Sequence, residues 1–179
     1  MQDAQIAIRP FADADQQAVR NLFVRINREL APPEMREAFE AYIARSLAEE
    51  IGRIRAYYAE RNGGFWVAED PESGLVGMFG LESGAEEGTA ELRRMYVDHQ
   101  ARRRGVARAM LRRAEEEAAS AGHHRMILST SELQGAALAF YRAAGYRAVR
   151  EETAIASSNK TVGSGIRRFH FERRLSRQS

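Results

Sequence analysis

The sequence predicts an α/β domain, a mixed and strongly twisted sheet with helices packed against it. Three observations carry that expectation. Short apolar runs bounded by Gly, Asn, Asp and Pro follow one another in mid-chain, at residues 65–68, 75–81 and 89–97. Stretches with apolar residues at helical spacing lie before and after them. The length of 179 residues, at 44% hydrophobic composition, suits one well-cored domain and is short for two.

Taken in order, residues 6–9 read as a short strand, after which Asp13 or Asp15 can cap a helix whose apolar positions are Val19, Leu22, Phe23 and Ile26. Pro32 and Pro33 end that unit. From residue 33 to about 61, Phe39, Tyr42, Ile43, Leu47, Ile51, Ile54 and Tyr58 form a long helical stripe with a break expected near Gly52. The turn at residues 62–64 opens a hairpin of strands 65–68 and 75–81, in which Gly77 and Gly80 suggest a bulge or a close backbone approach. Residues 89–97 alternate as another strand, although Arg93 and Arg94 interrupt its apolar character. A helix is expected over 105–121, ending at Gly122, then a strand at 126–129 and a helix at 133–144 closed by Gly145. Strands at 146–151 and 168–175 finish the chain, and the polar loop 155–165 between them is expected to be mobile.

Composition narrows the function classes. The 27 Lys and Arg nearly cancel the 25 Asp and Glu, so a formal charge of +2 gives no general attraction to nucleic acid. The chain has no Cys, which removes a disulfide framework, a thiolate nucleophile and Cys-ligated metal sites together. The four His show no ligand spacing, so no metal is expected. Asp3 stands where a signal peptide needs basic residues, and no apolar stretch approaches the roughly 18 residues of a membrane span. Cytoplasmic residence is the expectation, with no membrane partner; a homodimer is left open.

The chemistry concentrates between Glu91 and Arg108. A helix N-terminus presents unpaired backbone N–H groups and a positive dipole end, which favours a diphosphate. Gly105 and Ala107 keep the backbone bare there, Val106 lies between them, and Arg102, Arg103, Arg104 and Arg108 can neutralise phosphate charge. The pattern is neither a Walker lysine loop nor a dinucleotide glycine motif.

Arg102-x-x-Gly105-x-Ala107 resembles the Q/R-x-x-G-x-G/A signature with which enzymes of the GNAT acetyltransferase superfamily hold the pyrophosphate of coenzyme A. It follows a strand ending in Met95-Tyr96-Val97, as in that family, where the strand's backbone pairs with the pantetheine arm. Residues 134–146 are similar to the family's second hallmark, N-x-x-A-x-x-x-Y-x-x-x-G-F/Y, with Gln134 in place of Asn and Tyr141 at the tyrosine. The resemblance covers roughly residues 6–175. It implies a sheet of six or seven strands splayed between 89–97 and 126–129, acetyl-CoA as cosubstrate, and direct transfer to an amine. By the same resemblance, Glu91 matches a glutamate that serves as general base in the histone-acetylating branch. Tyr141 matches the tyrosine that protonates the leaving thiolate.

An alkylammonium with a pKa of about 10.4 must lose a proton before its nitrogen can attack, and a phenol of pKa about 10 can donate to a thiolate. Glu91 can instead simply salt-bridge to Arg93 or Arg94, and Tyr141 can simply pack in the core. The expected acceptor is a small or amino-acid-like amine. Alternatives are a protein or aminoacyl-tRNA acceptor, reading a basic face of Arg102, Arg103, Arg108, Arg112 and Arg113, or a non-catalytic acyl-CoA sensor.

Overall fold

A computed structural model describes residues 5–176. Residues 1–4, on which the signal-peptide argument rests, lie outside the described residues. Strand β1 (Ala7–Pro10) is followed by helices α1 (Gln16–Leu30), α2 (Arg36–Glu49) and α3 (Ile54–Ala59). Strands β2 (Gly64–Asp70), β3 (Gly74–Ser83) and β4 (Thr89–Val97) come next, then helix α4 (Val106–Ser120), strand β5 (Arg125–Ser131), helix α5 (Gly135–Ala143) and strands β6 (Arg147–Ala154) and β7 (Ile166–Arg174). The seven strands form one sheet in the order β1-β2-β3-β4-β5-β7-β6, parallel only between β4 and β5. The strand count and the mixed character agree with the expectation.

The period-2 alternation of β2 divides the core in two. Phe65 and Val67 face one side, where they pack with Val19, Leu22, Phe23 and Ile26 of α1 and the buried stripe of α2 and α3. Trp66 and Ala68 face the other, against Met110, Leu111 and Ala114 of α4 and Tyr141 of α5. Each sheet face is thus covered by helices, the two-sided layering expected of an α/β domain.

Local chemistry departs from the sequence expectation at Asp15 and in the loop 155–165. Asp15 does not cap α1 through its side chain; its carboxylate accepts from the Ala12 N–H at 2.8 Å and pairs with Arg9 at 2.7 Å. The long stripe does break near Gly52, as expected: α2 ends at Glu49 and the chain turns through a short 3-10 segment at Ile51–Arg53 before α3, in a conformation where a Cβ at position 52 would lie 2.4 Å from the Leu47 carbonyl oxygen. The loop 155–165, expected to be mobile, is tied down: Arg45 donates to the Ser157 carbonyl at 2.7 Å, and Asn159 and Lys160 reach into charged groups of the sheet.

Strand β4 carries the irregularity with the largest consequence. Met78 pairs with Tyr96 but Gly80 with Arg93, so two residues of β4, Arg94 and Met95, face the single Phe79 in a β-bulge. Arg94 takes the left-handed conformation there, at φ +54°. The bulge cancels the alternation that would send consecutive side chains to opposite faces, and both Arg93 and Arg94 reach the buried carboxylate of Glu50, at 2.8 and 2.9 Å. The phenol of Tyr58 crosses over Gly80, where a Cβ would lie 2.4 Å from its oxygen, and donates to Glu50 at 2.7 Å. Both features suggested by Gly80, a bulge and a close approach, are present at that point.

Candidate active site

Strands β4 and β5 share three register pairs, Thr89 with Arg125, Ala90 with Met126 and Glu91 with Ile127. The register between them ends there. Beyond it β5 runs on paired with β7 as far as Ser131 opposite Arg168, while β4 continues toward Val97. The sheet therefore forks at Glu91, and the β4 edge from Leu92 onward offers backbone groups to a third, extended partner.

Two concavities open at the fork. The first is a groove lined by Met95, Tyr96 and Val97 of β4, by Arg102, Arg103, Gly105, Val106, Ala107 and Arg108 at the start of α4, and by Gln134 and Tyr141 around α5. Gly105 immediately precedes α4 with φ +74°, a left-handed conformation that glycine adopts without Cβ strain, and a Cβ built there meets no protein atom within 4 Å. The groove mouth thus holds the free N–H groups of a helix start beside three arginines. Arg104 is the one expected cradle residue that the fold turns away: its guanidinium lies 2.6 Å from Asp70 at the β2–β3 turn.

The second concavity is a polar pocket lined by Glu91, Arg93, Arg94, Ser129, Lys160 and Arg168 among others. Glu91 pairs with neither Arg93 nor Arg94. Its carboxylate accepts from the ammonium of Lys160, the chain's only lysine, at 2.8 and 3.0 Å. Arg93 and Arg94 are committed to Glu50, with Tyr57 and Tyr42 hydroxyls at 2.5 and 2.6 Å. Burial pushes the Glu50 carboxyl up, but the charge and hydrogen bonds of Arg94 and the charge of Arg93 pull harder and hold it below the usual range. Sequence reasoning missed this cluster. The visible signal was the pair of arginines inside an otherwise apolar strand.

Groove and pocket share a wall that includes Met95, Tyr96, Gln134 and Tyr141. Tyr141 is buried, and its hydroxyl donates to the Met95 sulfur at 3.3 Å. Burial, with the neighbouring Tyr96 adding to it, pushes this phenol well above its ordinary pKa, so it is held protonated as a donor. Tyr96 is pushed up to about 12, again by burial first. Gln134, which lines both cavities, accepts from Thr130 Oγ1 at 2.8 Å through its amide oxygen.

A mixed sheet forked at its centre, with a helix start and three arginines at the mouth of a groove that meets a polar pocket across one wall, is the architecture of an acetyltransferase fold. The chain belongs to the Acetyltransferase (GNAT) family, whose model matches residues 17–146. It is similar to N-acetylaspartate synthetase from Danio rerio, 34% identical over 65% of this chain and 41% of the relative. It is also similar to human N-acetyltransferase 8, 32% identical over 59% of this chain and 48% of the relative. The chain thus spans less than half the length of both. A GNAT-family acetyltransferase from Staphylococcus aureus Mu50 shares the fold, with a TM-score of 0.73 at 18% identity, covering 96% of this chain and all of the other.

Proposed function

We propose that this chain transfers the acetyl group of acetyl-CoA to the primary amine of a small, amino-acid-like molecule by direct attack in a ternary complex. One observation carries the reading: an extended groove with an anion cradle and a separate polar pocket meet at a single wall that contains the Tyr141 hydroxyl. Thioester and amine can then approach from opposite sides. The named activities of the relatives, an N-acetylaspartate synthetase and an N-acetyltransferase, support an amine acceptor.

In this scheme Arg102, Arg103, Arg108 and the N–H groups after Gly105 hold the diphosphate, and the open edge of β4 pairs with the pantetheine amides. The acceptor ammonium gives a proton to Glu91, directly or through water, and its nitrogen attacks the thioester carbonyl carbon. Backbone N–H groups in the stretch Met95, Tyr96 and Val97 stabilise the oxyanion. Collapse breaks the C–S bond as Tyr141 donates its proton to the departing thiolate, and the second proton of the nitrogen, lost as the amide forms, returns to the Tyr141 oxygen through water, so that the phenol is restored. For Glu91 to act, Lys160 must release it, so the acceptor ammonium competes for the place that the lysine ammonium holds.

Gly105→Glu tests the cradle. A Cβ at that position meets no protein atom within 4 Å, while the left-handed backbone costs about 1–2 kcal/mol. The folded variant should lose acetyl-CoA binding almost completely by calorimetry, since bulk and negative charge both oppose the diphosphate. Unchanged affinity would remove the cosubstrate assignment.

Glu91→Gln tests the base. kcat/KM should fall at neutral pH, where the amine is mostly protonated, and recover as pH rises toward the amine pKa of about 10. A loss of equal size at every pH would reassign Glu91 to a structural pair with Lys160.

A further inference from the structure

The charges around the acceptor pocket do not balance. Four cations line it: Arg93, Arg94, Lys160 and Arg168. Three carboxylates answer the first three at close range, Glu50 for Arg93 and Arg94, Glu82 for Arg93 and Lys160, and Glu91 for Lys160, at distances from 2.8 to 3.3 Å. Arg168 has no such partner among the described residues. Its side chain is 11% exposed, and its nearest carboxylate, Glu152, lies 3.9 Å away and accepts from His170 at 2.8 Å. The guanidinium donates to the neutral Ser129 hydroxyl. With five N–H donors, one close acceptor that carries no charge, and its carboxylate partner beyond hydrogen-bond reach and shared with Arg150 and His170, it is a buried cation only weakly answered. Its burial lowers its pKa, with the charges of Glu152 and Glu91 offsetting only part of that effect.

We propose that Arg168 is a specificity-determining residue that docks a carboxylate of the acceptor, so that the substrate class is amines bearing a free carboxylate, amino acids foremost. The proposal rests on the acetyltransferase reading of the pocket and deepens it. A planar guanidinium on β7, held in place by Ser129 on the neighbouring strand, can take a carboxylate in a two-point contact. The single unbalanced charge matches one carboxylate. Glu91 lines the same pocket, which leaves the amine end of the acceptor facing the base and the Tyr141 wall.

The test uses matched pairs that differ only in the carboxylate: L-leucine with isopentylamine, L-phenylalanine with phenethylamine, and L-glutamate with 4-aminobutyrate, in which one carboxylate remains. Binding is read by calorimetry on protein saturated with CoA, and turnover separately as thiol release from acetyl-CoA. Wild type should bind at least one acid more tightly than its amine by about 100-fold, the scale of a desolvated charge pair. Arg168→Met should erase that preference while CoA affinity and amine binding stay within about threefold. Arg168→Lys, which keeps the charge without the planar fork, should retain part of the preference. Because Glu152 keeps His170 and Arg150 as partners, removing this weakly paired buried cation strands no carboxylate, and Arg168→Met should melt no lower than wild type. A large loss of stability would make Arg168 structural and overturn the proposal, as would amine binding equal to acid binding in wild type, or an acid preference that survives in Arg168→Met. Acid binding that depends on Arg168 without thiol release would leave this assignment standing and sink the acetyltransferase reading.

Discussion

Tyr141→Phe should lower kcat by about 10²–10⁴-fold, the usual contribution of a positioned proton donor, with acetyl-CoA affinity within about threefold of wild type. The structure strengthens the case for the hydroxyl over the ring. The ring keeps its neighbours Phe140, Tyr146 and Phe171, with centroids at 5.2, 5.8 and 6.3 Å, so the variant loses no packing. Stability should change by no more than the roughly 0.5–1.5 kcal/mol of one hydrogen bond. The hydroxyl already points at a sulfur, that of Met95, in the wall between groove and pocket. Its raised pKa keeps it a donor across the working pH range, so the deficit should not depend on pH below about 10. A poorer thiol leaving group should widen the deficit and a more acidic one narrow it. If kcat stays near wild type when chemistry limits turnover, Tyr141 is a packing residue and water protonates the thiolate.

Glu50→Gln should destabilise the protein by about 3–5 kcal/mol in urea unfolding, because it leaves two buried guanidinium groups without their shared anion. Glu50 is fully buried and Arg93 and Arg94 nearly so. Replacing the whole cluster with apolar residues of similar volume is a different experiment and should cost far less. The pH dependence follows from the direction of the shift. A carboxyl held below its unfolded value contributes its full stability above that value, about 4.3, and loses it as pH falls through the lower folded value. The gap between wild type and Glu50→Gln should therefore be constant at neutral pH and close only below about pH 4. A variant within about 1 kcal/mol of wild type would mean that water reaches the arginines.

Much of this fold is written in local patterns. The stripe of α1, the hairpin of β2 and β3, the start of α4 after three arginines and the glycine after α5 all follow from periodicity, propensity and turn chemistry. These act between residues close in sequence. The same holds for the proposed cradle, since a helix start with a bare backbone and flanking arginines is contiguous in the chain. Arg104 escaped that logic because a side chain at a turn can aim either way, and Asp70, more than thirty residues earlier, decided the direction.

The polar pocket is assembled from residues far apart in sequence. Arg93 and Arg94 signalled something unusual, but their shared partner Glu50 lies 43 and 44 residues away, and only the β4 bulge brings both side chains to one face of the sheet. Glu91 found Lys160 across 69 residues, through a loop that by composition alone looked mobile. Arg168 reads in the sequence as one more polar position of an edge-proximal strand.

By itself, then, the sequence determined the layered α/β architecture and the contiguous stretches, the helix start with its arginines and the helix carrying Tyr141, that line the groove, because each depends on periodicity or on a contiguous motif. Tertiary structure alone decided which charges cancel and which one is left over. Electrostatic pairing is settled by distances of a few ångströms in a low-dielectric interior, and those distances exist only once β4, β5, β7 and the loop before β7 have come together.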